Sequence, residues 1–227
     1  MTGAELDRLG DRLRLEVTPE DLTALDSYRR SFRSAYDAVV DRIRNELSLE
    51  VSGRPAKSTA AIVDKLRRST MRLTQMQDIA GCRTVVSNVA HQSRLVGRLE
   101  SMFDLAIIDR RARPSNGYRA VHAIVRDTGL PVEIQVRTDL QHAWAELSEK
   151  LADNFGIELK YGGGPPEVRK TLDDPPRQNS CRPDRTNNPG VGDEGRQWLD
   201  TDSFSRTGRW RSCCRRRARH WMWWRVK

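Results

Sequence analysis

Between Glu20 and Leu47 the apolar and aromatic side chains fall at Leu22, Leu25, Tyr28, Phe32, Tyr36, Val39, Val40, Ile43 and Leu47. Steps of three and four residues place them on one stripe and predict a single long amphipathic helix with that stripe buried. Arg29, Arg30, Arg33 and Arg42 sit mostly off the stripe and are expected to form a solvated face, with room for one or two to reach a ligand. Residues 1–50 thus read as an N-terminal helical segment.

After a link containing Gly53 and Pro55, Ser58 or Thr59 is placed to cap a helix running to Arg68, and Leu73 to Gln77 suits a short turn. Cys82 to Val86 reads as a buried strand. His91 to Met102 reads as a helix with Leu95, Val96, Leu99 and Met102 inward, and Leu105 to Asp109 as the next strand. A polar, basic loop from Arg110 to Gly117 follows. Ala120 to Arg126 and Val132 to Arg137 are strands joined by the turn Asp127-Thr128-Gly129-Leu130-Pro131, and Leu140 to Phe155 is a helix. The order predicts an α+β fold with a mixed central sheet flanked by helices.

The chemistry lies on this scaffold. Asp78 stands just ahead of one apolar strand and Glu133 inside another, with Arg and Lys around both. Glu133, Gln135 and Arg137 alternate onto one strand face, while Ile134 and Val136 face the core. An acidic pair suits Mg²⁺, and a cationic shell suits polyphosphate oxygens. Asn116-Gly117 marks a tight turn, and Tyr118 and His122, four residues apart, share a face.

Four ordered motifs carry a resemblance: Lys57 followed by Ile62-Val63-Asp64-Lys65-Leu66, Asp78-Ile79-Ala80-Gly81-Cys82-Arg83, Gly117-Tyr118-Arg119-Ala120-Val121-His122, and Glu133-Ile134-Gln135-Val136-Arg137-Thr138. From Arg54 to about Leu172 the chain resembles the synthetase domain of the RelA/SpoT family, which transfers pyrophosphate from ATP to the 3′-hydroxyl of GDP or GTP. The resemblance implies a polymerase-β-like nucleotidyltransferase fold over 51–172 and a small, stand-alone alarmone synthetase of the stringent response. It implies Asp78 and Glu133 as catalytic residues and Mg²⁺ ligands, Glu133 either taking the hydroxyl proton or helping to hold metal. Tyr118 is implied as the ring that stacks on guanine, with His122, Asn116, Gln135 and Arg113 on the acceptor side. Arg54, Lys57, Lys65, Arg83 and Arg119 are implied on the donor and phosphate side. Pro55 stands where the family more often has its arginine, which leaves Arg54 for the adenine, and at least one of Arg110, Arg111 and Arg113 is expected to reach phosphates. Trp144, on the helix with His142, Glu146 and Lys150, is read as core. The implied partners are ATP and GDP or GTP, with relatives of this size often forming homotetramers. Two other readings stay open: the same transfer onto the 3′ end of tRNA, and a non-catalytic nucleotide- or RNA-binding protein.

Composition changes this picture at one place. The net charge is +9, yet 173–227 alone holds 13 Lys and Arg against 7 Asp and Glu, five of the six Trp and three of the four Cys. Global charge is therefore weak evidence for nucleic acid, while the local cations keep their meaning. Lacking aliphatic periodicity, that tail is expected to be disordered or aberrant, the product of a shifted reading frame in preference to a true basic extension. Cys181, Cys213, Cys214 and His220 fit no common zinc spacing. The chain lacks a run long enough to span a membrane and a disulfide framework, so a reducing, cytoplasmic setting is expected.

Overall fold

Thr2 opens α1 (Gly3–Leu15) with a reciprocal cap: the Glu5 amide donates to its hydroxyl at 3.3 Å and Glu5 Oε2 accepts from the Thr2 amide at 2.6 Å. Thr18 caps α2 (Pro19–Arg30), whose Pro19 sits where a missing N–H costs nothing. These details belong to a computed structural model that describes residues 1–173. The expectations for the tail and its cysteines lie outside the described residues.

The helix expected from Glu20 to Leu47 is two helices, since α3 (Arg33–Leu47) starts anew after a turn at Ser31 and Phe32. The Ser31 hydroxyl donates to the Tyr28 carbonyl at 2.6 Å, the Ser31 amide is shared between the Tyr28 and Ser27 carbonyls at 3.2 and 3.3 Å, and the Phe32 amide turns to the Arg29 carbonyl three residues back at 3.3 Å. A serine hydroxyl that competes for backbone groups breaks the ladder without disturbing the apolar spacing, so periodicity alone conceals the break. Phe32 is fully buried, edge-on to Tyr28 at 5.2 Å between centroids. Leu22, counted in the stripe, is exposed.

Beyond α3 come β1 (Ser52–Arg54), α4 (Thr59–Arg68), a 3₁₀ turn (Leu73–Gln75), β2 (Ala80–Val86), α5 (Val89–Met102), β3 (Leu105–Asp109), β4 (Val121–Val125), β5 (Val132–Thr138), α6 (Asp139–Phe155), a second 3₁₀ turn (Ile157–Tyr161) and α7 (Pro166–Asp173). The five strands lie in the order β1-β2-β5-β4-β3. Only β2 and β5 are parallel, pairing Gly81 with Glu133 and Arg83 with Gln135; β4 pairs His122 with Gln135 from the other side. The mixed sheet agrees with the expected α+β fold. The strand β1 was read as part of a link. It hugs β2 so closely that a Cβ on Gly53 would stand 2.5 Å from the Gly81 carbonyl oxygen and 2.6 Å from Cys82 Cα.

One sheet face is apolar. Cys82, Ala123, Ile134 and Val136 pack there with Val39 and Ile43 of α3 and Leu95 and Leu99 of α5 in a single core that also takes in α1, α2 and α4. Burial and the nearby charge of Glu133 push the Cys82 thiol up to about 12, which leaves it inert. The opposite face is polar, and α6 lies along it. Thr138, the last residue of β5, accepts from the Gln141 amide at 3.3 Å and so starts α6. The fully buried Gln92 of α5 donates to the Val136 carbonyl and to Gln141 Oε1, both at 2.8 Å, locking that junction.

Candidate active site

Every second residue of β5 and β2 supplies the polar face. Asp78, just before β2, receives Lys57 Nζ on one carboxylate oxygen at 2.8 Å and Lys65 Nζ on the other at 2.7 Å. Lys57 precedes the Ser58 cap of α4 and Lys65 lies in that helix's last turn, so α4 delivers both ammoniums to one carboxylate. Burial works to raise the Asp78 pKa, but the two lysines outweigh it and hold the carboxyl below its ordinary value.

Glu133 anchors a closed circuit of side chains. His122 Nδ1 meets Glu133 Oε1 at 2.7 Å, and His122 Nε2 meets the Tyr118 hydroxyl at 3.0 Å. Arg137 Nη2 donates to that hydroxyl at 3.1 Å and to Gln135 Oε1 at 2.8 Å, and Gln135 Nε2 donates to Glu133 Oε2 at 2.7 Å. An imidazole hydrogen on Nδ1 is one assignment that satisfies every contact. Both arms then run donor to acceptor from the Arg137 cation to the Glu133 anion. Burial raises the Glu133 pKa, yet the bonds from His122 and Gln135 prevail and hold it low. The charge of Asp78 acts on Glu133 as a repulsion that works against this lowering.

Tyr118 sits at the seam. Its pKa is raised by burial, with Arg137 working against the rise. The Arg137 guanidinium lies over its ring at 5.2 Å and Trp144 tilts against it at 6.2 Å. Trp144 is buried, as expected of a core residue, and its Nε1 donates to the Leu172 carbonyl of α7 at 3.3 Å. Between Tyr118, Arg137, Trp144, Ser148 and the Ser115-Asn116 turn lies a cavity of about 190 Å³.

The other positions divide. Arg83 lies beside Gln135 on the same face, 3.4 Å from His142 Nδ1 through Nη1, and its buried Nε has no hydrogen-bond partner among the described residues. Arg54 is exposed on β1 next to Gly81, and Arg113 is exposed in the loop after β3. Arg119 turns back to the Gly117 carbonyl at 3.3 Å. Asn116 donates to the Lys160 carbonyl at 3.1 Å, tying its turn to the segment after α6. Arg111, one of three loop arginines expected near phosphates, folds onto Asp109 and Ser93 instead. Its guanidinium is better satisfied by the carboxylate two residues back than by open solvent.

Two residues escaped the sequence reading. Arg137, expected only to share the face of Glu133, is 5% exposed and joins both arms of the circuit. A basic residue alternating with Glu133 and Gln135 was the available signal. Arg29, expected on a solvated face, is instead turned inward onto the Lys57 loop, with Nε donating to the Lys57 carbonyl at 2.7 Å. Helical spacing carries no trace of a partner 28 residues away.

An α+β fold that sets two ionised carboxylates among lysine, arginine and histidine side chains has the groups to bind a cation or an anionic ligand. Comparison with known proteins narrows the class. Residues 53–153 match the region found in RelA / SpoT proteins. The chain is 30% identical over 146 residues to the GTP pyrophosphokinase YwaC of Bacillus subtilis, covering 56% of this chain and 69% of that protein. It is 38% identical over 137 residues to the uncharacterized protein Rv1366 of Mycobacterium tuberculosis, covering 58% of this chain and 50% of the relative. The crystal structure of small alarmone synthetase 1 from Bacillus subtilis bound to its product pppGpp aligns with a TM-score of 0.52 at 25% identity, over 65% of this chain and 88% of that one. The chain belongs to the RelA/SpoT family. It spans half the length of the mycobacterial relative it matches.

Proposed function

We propose that the protein is a Mg²⁺-dependent GTP pyrophosphokinase that moves the diphosphate of ATP to the 3′-hydroxyl of GDP or GTP and releases AMP. The observation that carries this reading is the carboxylate pair, Asp78 seated on two lysines and Glu133 seated on the Tyr118–His122 arm. The pyrophosphokinase named among the relatives and the pppGpp-bound neighbour support it.

The donor set fits a small, hard cation. Asp78 and Glu133 are both held ionised and repel each other, and among the described residues no group of three or more His, Cys, Asp or Glu is gathered to hold a metal alone. Mg²⁺ takes one or two carboxylates and completes its shell with phosphate oxygens and water. Bound there it would screen the polyphosphate charge and help align donor with acceptor.

The chain's own residues do the rest. Lys57 and Lys65 turn from Asp78 to the phosphate oxygens of the donor, joined by Arg83, while Arg54 meets the adenine end. Tyr118 offers its ring to the guanine, with Asn116, Gln135 and Arg113 on the acceptor side. Glu133, oriented by His122, receives the proton of the 3′-hydroxyl as that oxygen bonds to the β-phosphorus. The bond from that phosphorus to the α-phosphate oxygen breaks in line, and AMP leaves.

Incubation of purified protein with ATP labelled in its β-phosphate and with GDP, GTP or tRNA tests this reading. Label on the guanine nucleotide, with AMP released, is the expected result; label on tRNA, or none transferred, overturns it. Tyr118→Ala should raise KM for the guanine nucleotide by about tenfold or more, since a lost base stack costs about 1–3 kcal/mol. An unchanged KM for GDP with a raised KM for ATP would refute the role of Tyr118.

A further inference from the structure

One of the two lysines that meet Asp78 is held by a residue outside the matched region. Lys57 is held at three points: its amide donates to the Ile79 carbonyl at 2.6 Å, its carbonyl accepts from Arg29 Nε at 2.7 Å, and its Nζ meets Asp78 at 2.8 Å. Arg29 Nη1 reaches Thr59 Oγ1 at 3.1 Å and Asp26 Oδ1 at 2.9 Å. One planar guanidinium thus spans the last loop residues before α4 and that helix's first residue. The side chain is 20% exposed, so water competes weakly for these bonds.

The rest of the N-terminal helical segment brackets α4 in the same way. Arg14 of α1 donates through Nε to the Leu66 carbonyl at 3.0 Å, in the last turn of α4, and through Nη2 to the Met71 carbonyl just beyond it. Arg12 of α1 meets the buried Asp21 of α2 at 2.8 Å, so the two helices that carry these arginines are themselves joined. A lysine on four rotatable bonds meets a phosphate reproducibly only when its backbone is fixed.

We infer that Arg29 is a positioning residue for the donor site: it holds the Lys57 backbone so that the ammonium meets the polyphosphate of ATP, and α2 is thereby part of the catalytic unit. The inference rests on the donor reading above.

Arg29→Gln and Arg29→Lys, with Arg33→Gln as a control on an exposed pair with Asp37, separate positioning from charge and from bulk stability. Arg29→Gln is expected to raise KM for ATP by about five- to tenfold, leaving KM for the guanine nucleotide and kcat within about twofold. Arg29→Lys restores the charge but not the fork, and should keep most of the defect; Arg33→Gln should behave as wild type. An unchanged KM for ATP in Arg29→Gln, equal rises in both KM values, or full rescue by lysine overturns the inference. Amide exchange at Lys57 reports on the clamp without turnover. It should quicken in Arg29→Gln while the β5 amides keep their protection, and unchanged exchange also overturns the inference. If wild type transfers nothing from ATP, the functional reading fails and the exchange result alone decides whether Arg29 holds Lys57.

Discussion

Asp78→Asn and Glu133→Gln should each lower diphosphate transfer by about 10²-fold or more, the loss that follows removal of one electrostatic stabiliser of a phosphoryl transition state. The two variants should nevertheless differ in stability. An amide at 78 leaves the Lys57 and Lys65 ammoniums facing each other half-buried with no anion between them. Asp78→Asn should therefore destabilise the apo protein by about 1–3 kcal/mol. Glutamine at 133 keeps the bulk of the side chain and one acceptor for His122 Nδ1, and its amide nitrogen then opposes the Gln135 amide, so the circuit is weakened at one contact only. Steady-state transfer assays paired with chemical denaturation check both points. Near-wild-type turnover in either variant would sink the carboxylate assignment, and equal stability of Asp78→Asn and wild type would show that the lysines do not depend on Asp78.

The scaffold was legible where its signals are local. Leu105–Asp109, the Ser58 cap of α4 and the alternation of Glu133, Gln135 and Arg137 against Ile134 and Val136 stand where spacing put them, because caps and strand periods act over a few residues. Tyr118 and His122, expected to share a face, meet each other and Glu133 there. The missed parts are those that spacing does not encode. Ser-Gly-Arg has no apolar residue to announce β1, and its pairing with β2 rests on the absence of a side chain at Gly53. The turn at Ser31 preserves the step of four from Tyr28 to Phe32. Arg29 and Arg137 look like exposed cations in sequence, because what defines them is a partner far along the chain or across the face. Arg111 shows the converse: it carries charge at a loop position and spends it on the carboxylate two residues back.

Gly117→Ala should be the most damaging small substitution near the acceptor side. Gly117 has φ +81°, a backbone state that costs an L-residue about 1 kcal/mol or more. A Cβ there would also collide with the Leu172 carbonyl oxygen and stand 2.8 Å from Trp144 Cζ2. Neither neighbour yields easily. Trp144 is buried, and the Leu172 carbonyl is held by the Trp144 indole while its own side chain is only 3% exposed. The turn that delivers Tyr118 must then shift, or α7 must lift from α6. We expect a loss of about 2–4 kcal/mol, read as a fall in Tm of roughly 5–15 °C, together with a KM for the guanine nucleotide raised more than that for ATP. In a chain ended before Pro166 the collision with Leu172 is gone, so the same substitution should cost only the backbone strain and the Trp144 contact, and the difference between the two penalties measures the grip of α7 on the turn. Equal penalties with and without α7 would show that Leu172 does not constrain the turn. A Gly117→Ala protein with wild-type Tm and acceptor KM would show that neither the left-handed backbone nor the close approach shapes the Tyr118 site.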